Sequence, residues 1–254
     1  MTPAPLAGKT AFVTGGSGGI GSACAEALAR DGAAVLLMGR RAEALETTRQ
    51  EILARCPGAN VATHPGDARQ EVPLRAALDA AWALQDRLDI VIPTVGGGEI
   101  RPILMHDADT FLEDLSLNIV SAFLAVRYAA PLLARSGGGT IVCISSDSAK
   151  LVFPWIPAYC TAKAGLEAFV RCAAEELSHQ KIRVNAVRPG LTRADSTAAL
   201  FAEPEIHRRF AEQKPLGRLG EPEDIARTVL FLIRDAGFLT GQVVNVDGGR
   251  SIVP

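Results

Sequence analysis

The residues with the clearest chemical potential are a tyrosine and a lysine four positions apart, in Tyr159-Cys160-Thr161-Ala162-Lys163. At this spacing on a helix, a phenol and an ammonium lie on one face and within mutual reach. An isolated tyrosine ionises near pH ~10, too high for a base at neutral pH. A unit positive charge ~4 Å away contributes on the order of 4 kcal/mol, which would lower that pKa by up to about three units, less the cost of desolvation. We therefore predict an acid–base centre in which Lys163 tunes Tyr159.

Ser146 is the third candidate, because it directly follows a stretch with the pattern of a strand, Thr140–Ser145. It would lie at the carboxyl end of that strand, the edge at which open α/β sheets bind ligands. A single tyrosine or lysine on a helix is usually structural or solvated. The combination with this serine, and with the glycine-rich turn described next, favours a catalytic interpretation.

A glycine-rich segment, Thr14-Gly15-Gly16-Ser17-Gly18-Gly19-Ile20-Gly21, joins a predicted strand to an alanine-rich predicted helix. Glycines allow a tight turn, close approach of backbone N–H groups to a pyrophosphate, and close packing of helix on strand. The helix N-terminus adds unpaired N–H groups and the positive end of its dipole. No Gly-Lys-Ser/Thr sequence follows, which disfavours an ATP-type loop. The predicted dinucleotide-binding residues of this turn are Gly15, Ser17, Gly18, Gly19, Ile20 and Gly21.

The second predicted strand ends in Leu37-Met38-Gly39-Arg40-Arg41, without a carboxylate. An acidic residue at this place would hold a ribose 2′-hydroxyl, whereas arginine accommodates a 2′-phosphate. A guanidinium binds phosphate through two N–H groups, so Arg40 and Arg41 favour NADP(H) over NAD(H). The alternative is that one arginine, Arg41, only opens the next helix as a solvated charge.

The elements that position these residues alternate between short apolar runs and longer segments of helical period. This alternation predicts an α/β fold: one domain over residues 1–254, with a doubly wound parallel sheet of about seven strands and helices on both faces. The predicted strands are Thr10–Thr14, Ala34–Met38, Val61–His64, Ile90–Ile92, Thr140–Ser145, Arg183–Val187 and Gln242–Val246. The predicted helices are Ile20–Arg30, Ala42–Arg55, Pro73–Arg87, Thr110–Arg135, Ala158–Ser178 and Glu223–Ile233.

One stretch breaks the alternation, from Leu191 to Pro215. It is polar and charged, shows no strand pattern and contains Pro204. It is either an ordinary surface excursion or a substrate lid near 191–215, a role that long connections in compact domains often have.

Composition limits the partners and the compartment. Lys plus Arg is 26 and Asp plus Glu is 28, a formal net charge of −2 that gives no reason to expect nucleic acid or an anionic membrane as a partner. No uninterrupted apolar run approaches the ~20 residues of a membrane span, and no secretory signal is visible. The five cysteines lie in apolar surroundings, which favours free thiols in a reducing cytoplasm. The four histidines have no metal-ligand spacing, so no metal is expected.

Together these motifs resemble the short-chain dehydrogenase/reductases of the short, single-domain, Rossmann-type class. The resemblance spans nearly the whole chain and is carried by TGGSGGIG at Thr14–Gly21, Asp67, Asn118 in LNIV, Ser146 in ISSDS, YCTAK at Tyr159–Lys163, VNAVRPG at Val184–Gly190 and VDGG at Val246–Gly249. It implies a hydride-transferring oxidoreductase that acts on a carbonyl or secondary alcohol. It also implies a homotetramer.

The resemblance also implies a role for each matched residue. Tyr159 would exchange a proton with the substrate oxygen, Ser146 would hydrogen-bond to that oxygen, and Lys163 would bind the nicotinamide ribose and lower the pKa of Tyr159. Asn118 would hold a water that links Lys163 to a proton relay, and Asp67 would accept from the adenine amino group. The implied cofactor contacts continue through Val95, Gly96, Pro189, Gly190 and Thr192.

The chain departs from the family pattern at three places. Where the family has Asn-Asn-Ala-Gly, this chain has Pro93-Thr94-Val95-Gly96, and a proline is tolerated there only as the last residue of the strand. Ala194 replaces the usual threonine after the Pro-Gly turn, so either Thr192 takes over the carboxamide contact or the contact is absent. Phe153 and Trp155 either pack against helices or form an apolar substrate wall.

Two other functions compete with a carbonyl reductase or alcohol dehydrogenase. A regulatory or scaffold protein could keep the fold without turnover, but it would have little physical need for Asn118, Ser146, Tyr159 and Lys163 together. A sugar-nucleotide epimerase or dehydratase normally has a sizeable additional C-terminal substrate domain. This chain ends soon after Gly249.

Overall fold

A seven-stranded parallel sheet forms the centre of the computed structural model, which describes residues 4–194, 197–198 and 202–252. The strand order is β3-β2-β1-β4-β5-β6-β7, and every neighbouring pair is parallel. The strands are β1 (Thr10–Thr14), β2 (Ala34–Gly39), β3 (Val61–Pro65), β4 (Ile90–Pro93), β5 (Gly139–Ile144), β6 (Ile182–Pro189) and β7 (Val243–Val246). The predicted doubly wound α/β fold is confirmed. The order reverses between β1 and β4, and ligands bind beside such a switch point.

The central strands are apolar throughout because both faces of the sheet are covered. Successive side chains of a strand point to opposite faces. Phe12 accordingly packs in the core layer on one face, whereas Val13 packs in the layer on the other. Both side chains are fully buried.

The helices divide between these two layers. One layer contains α3 (Glu71–Trp82), α5 (Ser121–Arg135) and α6 (Pro157–Leu177), and the other contains α1 (Gly19–Arg30), α2 (Ala42–Arg55) and a helix at Pro222–Arg234. The helix predicted to reach Arg87 ends at Trp82. A turn follows there, in which Asp86 has a left-handed φ of 52°.

The helix predicted over Thr110–Arg135 is divided into α4 (Ala108–Leu115), a π-helical turn (Ser116–Val120) and α5. In length and hydropathy the whole segment, Ala108–Arg135, matches a membrane span, although no single apolar run in the sequence does. Half of its most apolar window is buried inside the protein. A core helix of a globular domain gives the same result.

The predicted lid, 191–215, contains a helix, α7 (Pro204–Glu212), and leads into α8 (Pro222–Arg234). Thr192 near its start forms a single parallel bridge with Gly220, and Thr192 and Lys214 are both buried. The segment is therefore anchored close to both ends. Residues 195, 196 and 199–201 of the predicted lid lie outside the described residues.

Candidate active site

Tyr159 and Lys163 lie in the first turns of α6, which begins with Pro157 at a position where its missing N–H costs nothing. The two side chains share one face, and Lys163 Nζ lies 5.6 Å from the centre of the Tyr159 ring. Lys163 is 3% exposed, and its Nζ donates a hydrogen bond to the Ile144 carbonyl at 2.9 Å. The ammonium is thereby tied to the end of β5, and the predicted juxtaposition of phenol and ammonium is present.

Burial, and not mutual charge, dominates the ionisation of this pair. Burial raises the pKa of Tyr159 to about 12, although a hydrogen bond with Ser146 acts in the opposite direction. Burial lowers the pKa of Lys163 to about 8. The expectation that the pKa of Tyr159 is lowered is therefore not met in the protein alone, because the removal of the phenol from water outweighs the hydrogen bond with Ser146 that favours its ionised form. At neutral pH the phenol keeps its proton.

Ser146 lies at the carboxyl end of β5 and caps a short 3₁₀ turn, Asp147–Ala149. Ser148 Oγ donates to Ser146 Oγ at 2.9 Å, and the Ser148 backbone N–H donates to the same oxygen at 3.2 Å. A weaker contact of 3.4 Å joins Ser146 Oγ to Asp147 Oδ1. Sequence analysis missed Ser148, because nothing in Ser146-Asp147-Ser148 distinguishes the second hydroxyl from an ordinary turn residue.

Asn118 is fully buried in the π-helical turn. Its Nδ2 donates to the carbonyls of Asp114 and Gly97 at 2.8 and 2.6 Å, and its Oδ1 accepts from the Gly97 N–H at 3.0 Å. The side chain thus joins the irregular helix to the loop after β4. π-Helical turns are frequent at functional sites.

The glycines that follow β4 lie directly against the catalytic candidates. A Cβ on Gly96 would lie 2.8 Å from Asn118 Oδ1 and 2.9 Å from Lys163 Nζ. A Cβ on Gly98 would lie 2.9 Å from Tyr159 Cβ. Any side chain at either position would displace these groups.

Pro93 and Thr94, which replace the two asparagines of the family pattern, leave the contacts of β4 with its neighbouring segments in place. Pro93 is the last residue of β4, where the missing N–H is tolerated as predicted. Thr94 Oγ1 donates to the Thr14 carbonyl at 2.6 Å and so ties this loop to the glycine-rich turn. Val95 is partly buried and packs against the core.

The glycine-rich turn has the shape that the sequence predicts. Gly15 has a left-handed φ of 65°, and a Cβ there would lie 2.5 Å from Thr94 Oγ1. A Cβ on Gly21 would overlap the Gly15 carbonyl. No side chain caps α1 at its N-cap residue, Gly18, so the first N–H groups of α1, from Gly19 and Ile20 onward, have no side-chain acceptor. These features fit a pyrophosphate, because anions bind to uncapped helix N-termini.

The residues after β2 adjoin the glycine-rich turn. Ser17, in the glycine-rich turn, lies close to Gly39 at the end of β2: a Cβ on Gly39 would be 3.6 Å from Ser17 Oγ. The turn and the end of β2 are therefore in direct contact. Arg40 is exposed, and its charge helps to lower the pKa of Asp67. Arg41 is the N-cap residue of α2. It therefore stands at the start of that helix, as the alternative interpretation of Arg41 expected.

Asp67, the expected adenine acceptor, already has a strong partner. The Arg69 guanidinium donates to both of its oxygens, the shortest distance being 2.7 Å from Nη2 to Oδ2, and this interaction lowers the pKa of Asp67. Arg69 also pairs with Glu113 at 2.7 Å. An adenine amino group would share this carboxylate with Arg69.

The Pro-Gly turn follows β6. Pro189 and Gly190 are buried, and a Cβ on Gly190 would lie 2.9 Å from Asp247 Cα. Thr192 is 6% exposed and donates from Oγ1 to the Gly190 carbonyl at 2.8 Å. Its hydroxyl proton is thus already engaged, whereas its oxygen can still accept.

Two aromatic residues lie between Ser146 and Tyr159. Trp155 is 63% exposed with a left-handed φ of 69°, and its carbonyl accepts from the Arg101 N–H at 2.6 Å. The loops after β4 and β5 are thereby joined. Phe153 is only partly buried. The exposure of Trp155 argues against packing under a helix.

Sequence analysis also missed a cluster of buried charges behind Ser146. Glu167 and Arg188 form an ion pair, and Ser145 Oγ donates to Glu167 at 2.7 Å. Asp147 lies near Lys214 and Asp247, and burial raises the pKa of Asp147 to about 6 in spite of the lysine. Separate segments bring these residues together, so no local pattern could reveal them.

Lys214 lines a cavity of about 360 Å³ beside the Pro-Gly turn. Its wall also includes Gly190, Leu191, Asn245 and Asp247, but neither Ser146 nor Tyr159. Among the described residues, no three His, Cys, Asp or Glu side chains are grouped so as to hold a metal ion.

Comparison with known proteins finds relatives that match nearly the whole chain. The family model described as Enoyl-(Acyl carrier protein) reductase matches residues 15–251. The chain is 34% identical over 245 residues to 3-oxoacyl-(acyl-carrier-protein) reductase of Aquifex aeolicus, covering 96% of this chain and 98% of that protein. It is similar in structure to a short-chain dehydrogenase/reductase of Mycobacterium ulcerans, with a TM-score of 0.93, 37% identity and coverage of 97% and 91% of the two chains.

A third relative was solved with bound ligands. It is a 7α-hydroxysteroid dehydrogenase in complex with NADH and 7-oxo glycochenodeoxycholic acid, with a TM-score of 0.91, 31% identity and coverage of 98% and 97% of the two chains. Fold, site and relatives define a hydride-transferring oxidoreductase. The chain belongs to the short-chain dehydrogenase/reductase family.

Proposed function

We propose that this protein is an NADP(H)-dependent reductase of ketones, with Tyr159 as the acid that protonates the substrate oxygen. The observation that carries the proposal is the position of the half-buried Tyr159, whose phenol is hydrogen-bonded with Ser146 and whose ring centre lies 5.6 Å from Lys163 Nζ. Its raised pKa of about 12 means that the phenol holds its proton at neutral pH. A group that must donate a proton needs to hold one at the working pH. The same centre run in reverse oxidises a secondary alcohol, and high pH favours that direction.

The chain's own residues divide the work on the substrate oxygen. Ser146 donates a hydrogen bond to the carbonyl, which stabilises the negative charge that develops there. Tyr159 then transfers its proton to that oxygen. The Lys163 ammonium, held by the Ile144 carbonyl, stabilises the phenolate that remains. When bound, the nicotinamide supplies the hydride.

Asn118 and Gly96 lie against Lys163 and help to position it. Asn118 holds a water that returns a proton to Lys163, and its three hydrogen bonds with backbone groups fix the amide for that task. Gly96 allows the chain to pass between Asn118 and Lys163 without a side chain.

The nucleotide seat is proposed to run along the strand ends. The pyrophosphate would lie on the turn formed by Gly15, Ser17, Gly18, Gly19, Ile20 and Gly21. The adenosine would lie beside Asp67, Val95 and Gly96, and the nicotinamide beside Pro189, Gly190 and Thr192.

The preference for NADP(H) rests on Gly39 and the two arginines. No carboxylate ends β2, so a 2′-phosphate meets no repulsion there, and the exposed guanidinium of Arg40 is available to bind it. Asp67, whose pKa the charge of Arg40 helps to lower, forms an ion pair with Arg69 at 2.7 Å. The hydroxysteroid dehydrogenase above was solved with NADH, so the preference must be measured in this protein.

The substrate is proposed to enter under residues 191–215, which act as a lid. The exposed Trp155 and the nearby Phe153 provide an apolar wall for it. The protein is proposed to work in the cytoplasm, where its cysteines stay free, as they are in the structure.

A homotetramer is proposed as the working assembly. Large apolar side chains are exposed on α5 and α8, among them Phe123 at 39% and Phe231 at 48%, and Phe238 is fully exposed. The helices that carry Phe123 and Phe231 belong to the two opposite layers, so each layer offers exposed apolar side chains for association between copies of the chain. Gel filtration with light scattering that gave a monomer would contradict this assembly.

Turnover of a panel of aliphatic, aromatic and steroid ketones with NADPH and with NADH tests the function. Tyr159→Phe is expected to lower kcat by at least about 10²-fold, the usual contribution of a positioned acid. The chain contains one other tyrosine, Tyr128, which donates to Glu71 at the surface. Tyr128→Phe is therefore the matched control and should retain full activity. Equal turnover by Tyr159→Phe and the wild type would refute the assignment.

A further inference from the structure

The hydroxyl of Ser146 has only one hydrogen-bonding function left. A serine hydroxyl carries one proton and two lone pairs. Both lone pairs of Ser146 are approached by donors of one residue, the Ser148 hydroxyl at 2.9 Å and the Ser148 backbone N–H at 3.2 Å. The proton of Ser146 is therefore the group that remains for a further partner.

The geometry around Ser148 is fixed and dry. Ser148 is 4% exposed, so water does not readily replace its hydroxyl. The 3₁₀ turn that carries it is closed by the Asp147 carbonyl, which accepts from the Lys150 and Leu151 N–H groups at 3.0 and 2.8 Å. Within the described residues, two acceptors compete for the Ser146 proton: Asp147 Oδ1, at a long 3.4 Å, and the phenol oxygen of Tyr159, which is hydrogen-bonded with Ser146.

We propose that Ser148 is a positioning residue that makes Ser146 an obligate hydrogen-bond donor to the substrate oxygen. The inference rests on the proposed function, because it assigns the direction of the bond that Ser146 makes in that reaction. Without the Ser148 hydroxyl, Ser146 can turn its proton to Asp147 or to the phenol oxygen. A carbonyl oxygen has two lone pairs, so with Ser148 in place it can accept from Ser146 and Tyr159 together.

Loss of the Ser148 hydroxyl should slow the chemical step and not ketone binding. Negative charge on the substrate oxygen grows in the transition state. When the Ser146 hydroxyl points away from that oxygen, the transition state therefore loses more stabilisation than the bound ketone does. Loss of the Ser148 donor should therefore lower kcat about tenfold and leave KM for the ketone within about twofold, as expected for one neutral hydrogen bond.

The test compares three variants with the wild type under ketone reduction. Ser148→Ala removes the donor. Ser148→Cys keeps a side-chain atom in the place of the hydroxyl but replaces it with a much weaker donor, and so shows whether filling the space without the hydrogen bond restores activity. Ser145→Ala is the matched control, since Ser145 is also buried and adjacent to Ser146 but bonds to Glu167. Its kcat should stay within about twofold of the wild type.

NADPH binding, measured by nucleotide fluorescence without ketone, provides a readout besides activity and should be unchanged in all three variants. If Ser148→Ala and Ser148→Cys are folded and keep wild-type kcat, the inference is overturned. It is also overturned if Ser145→Ala loses as much kcat as they do, because that result indicates a general packing effect. Failure of the proposed function itself is recognised separately, as absence of nucleotide binding and turnover in the wild type.

Discussion

The backbone of Gly96 lies so close to Lys163 that a methyl group on Gly96 would be 2.9 Å from the ammonium nitrogen. The same methyl would be 2.8 Å from Asn118 Oδ1. Real Cβ atoms do not approach other heavy atoms so closely, so one of the two polar groups would have to move. Both are fully or almost fully buried and have little space in which to do so.

Gly96→Ala is therefore expected to lower kcat by about 10²-fold, the loss that a displacement of about 1 Å can cause in a catalytic site. Steady-state kinetics and a thermal melt measure the two consequences separately. Gly237→Ala is the matched control, because a Cβ there meets no heavy atom within 4 Å. Unchanged kcat in a folded Gly96→Ala protein would show that the close approach has no role in catalysis.

The rate of ketone reduction should depend on pH through the ionisation of Lys163. Burial lowers the pKa of this lysine to about 8, so its ammonium is present below pH 8 and is lost as the pH rises. The pKa of Tyr159 is raised to about 12, so the phenol stays protonated across the same range. The value of kcat/KM for NADPH, which reports groups of the free enzyme, should fall as the pH passes about 8. A profile that stays flat to pH 9.5 would contradict this origin.

Arg40→Asp should exchange the nucleotide preference. The variant loses a charged hydrogen bond to the 2′-phosphate and gains a repulsive carboxylate that can accept from a ribose hydroxyl instead. NADPH should bind roughly 10- to 100-fold more weakly, and NADH more tightly, in fluorescence titrations. Arg30→Asp makes the same charge change at the C-terminal end of α1, away from the glycine-rich turn, where Arg30 pairs with Glu26, and should alter neither affinity. Unchanged NADPH affinity in Arg40→Asp would remove the basis of the preference.

Asp147→Asn should make the protein more stable at high pH. Burial raises the pKa of Asp147 to about 6, above the ~3.9 of an unfolded aspartate. Between these values the folded protein binds more protons than the unfolded chain, so ionisation of Asp147 costs stability as the pH rises from about 4 to 6. The variant escapes this cost, which is about 3 kcal/mol for a shift of this size, with the attraction to Lys214 already included.

Urea unfolding of Asp147→Asn and the wild type at pH 4 and pH 8 measures the effect. The gain should be near zero at pH 4 and present at pH 8. Asp79→Asn, at an exposed position, controls for the change in net charge. A difference between Asp147→Asn and the wild type that does not vary with pH would rule out the titration of Asp147 as its cause.

The sequence by itself determined the architecture and the place of the chemistry. Alternating apolar strands and amphipathic helices encode a covered parallel sheet, and the seven strands lie where their apolar runs predict. The Tyr159–Lys163 spacing and the glycine-rich turn are also local patterns. Their geometry follows from the helix repeat and from backbone freedom at Gly15, so both could be read from the chain.

Only the tertiary structure decided how the site is tuned. The raised pKa of Tyr159 depends on how many distant segments exclude water from it, and attraction from a neighbouring lysine was the wrong guide. The contacts of Gly96 with Asn118 and Lys163 join three separate elements, and the approach of Lys214 to Asp147 joins residues far apart in the chain. Desolvation and long-range contact are properties of packing, and no local spacing specifies them.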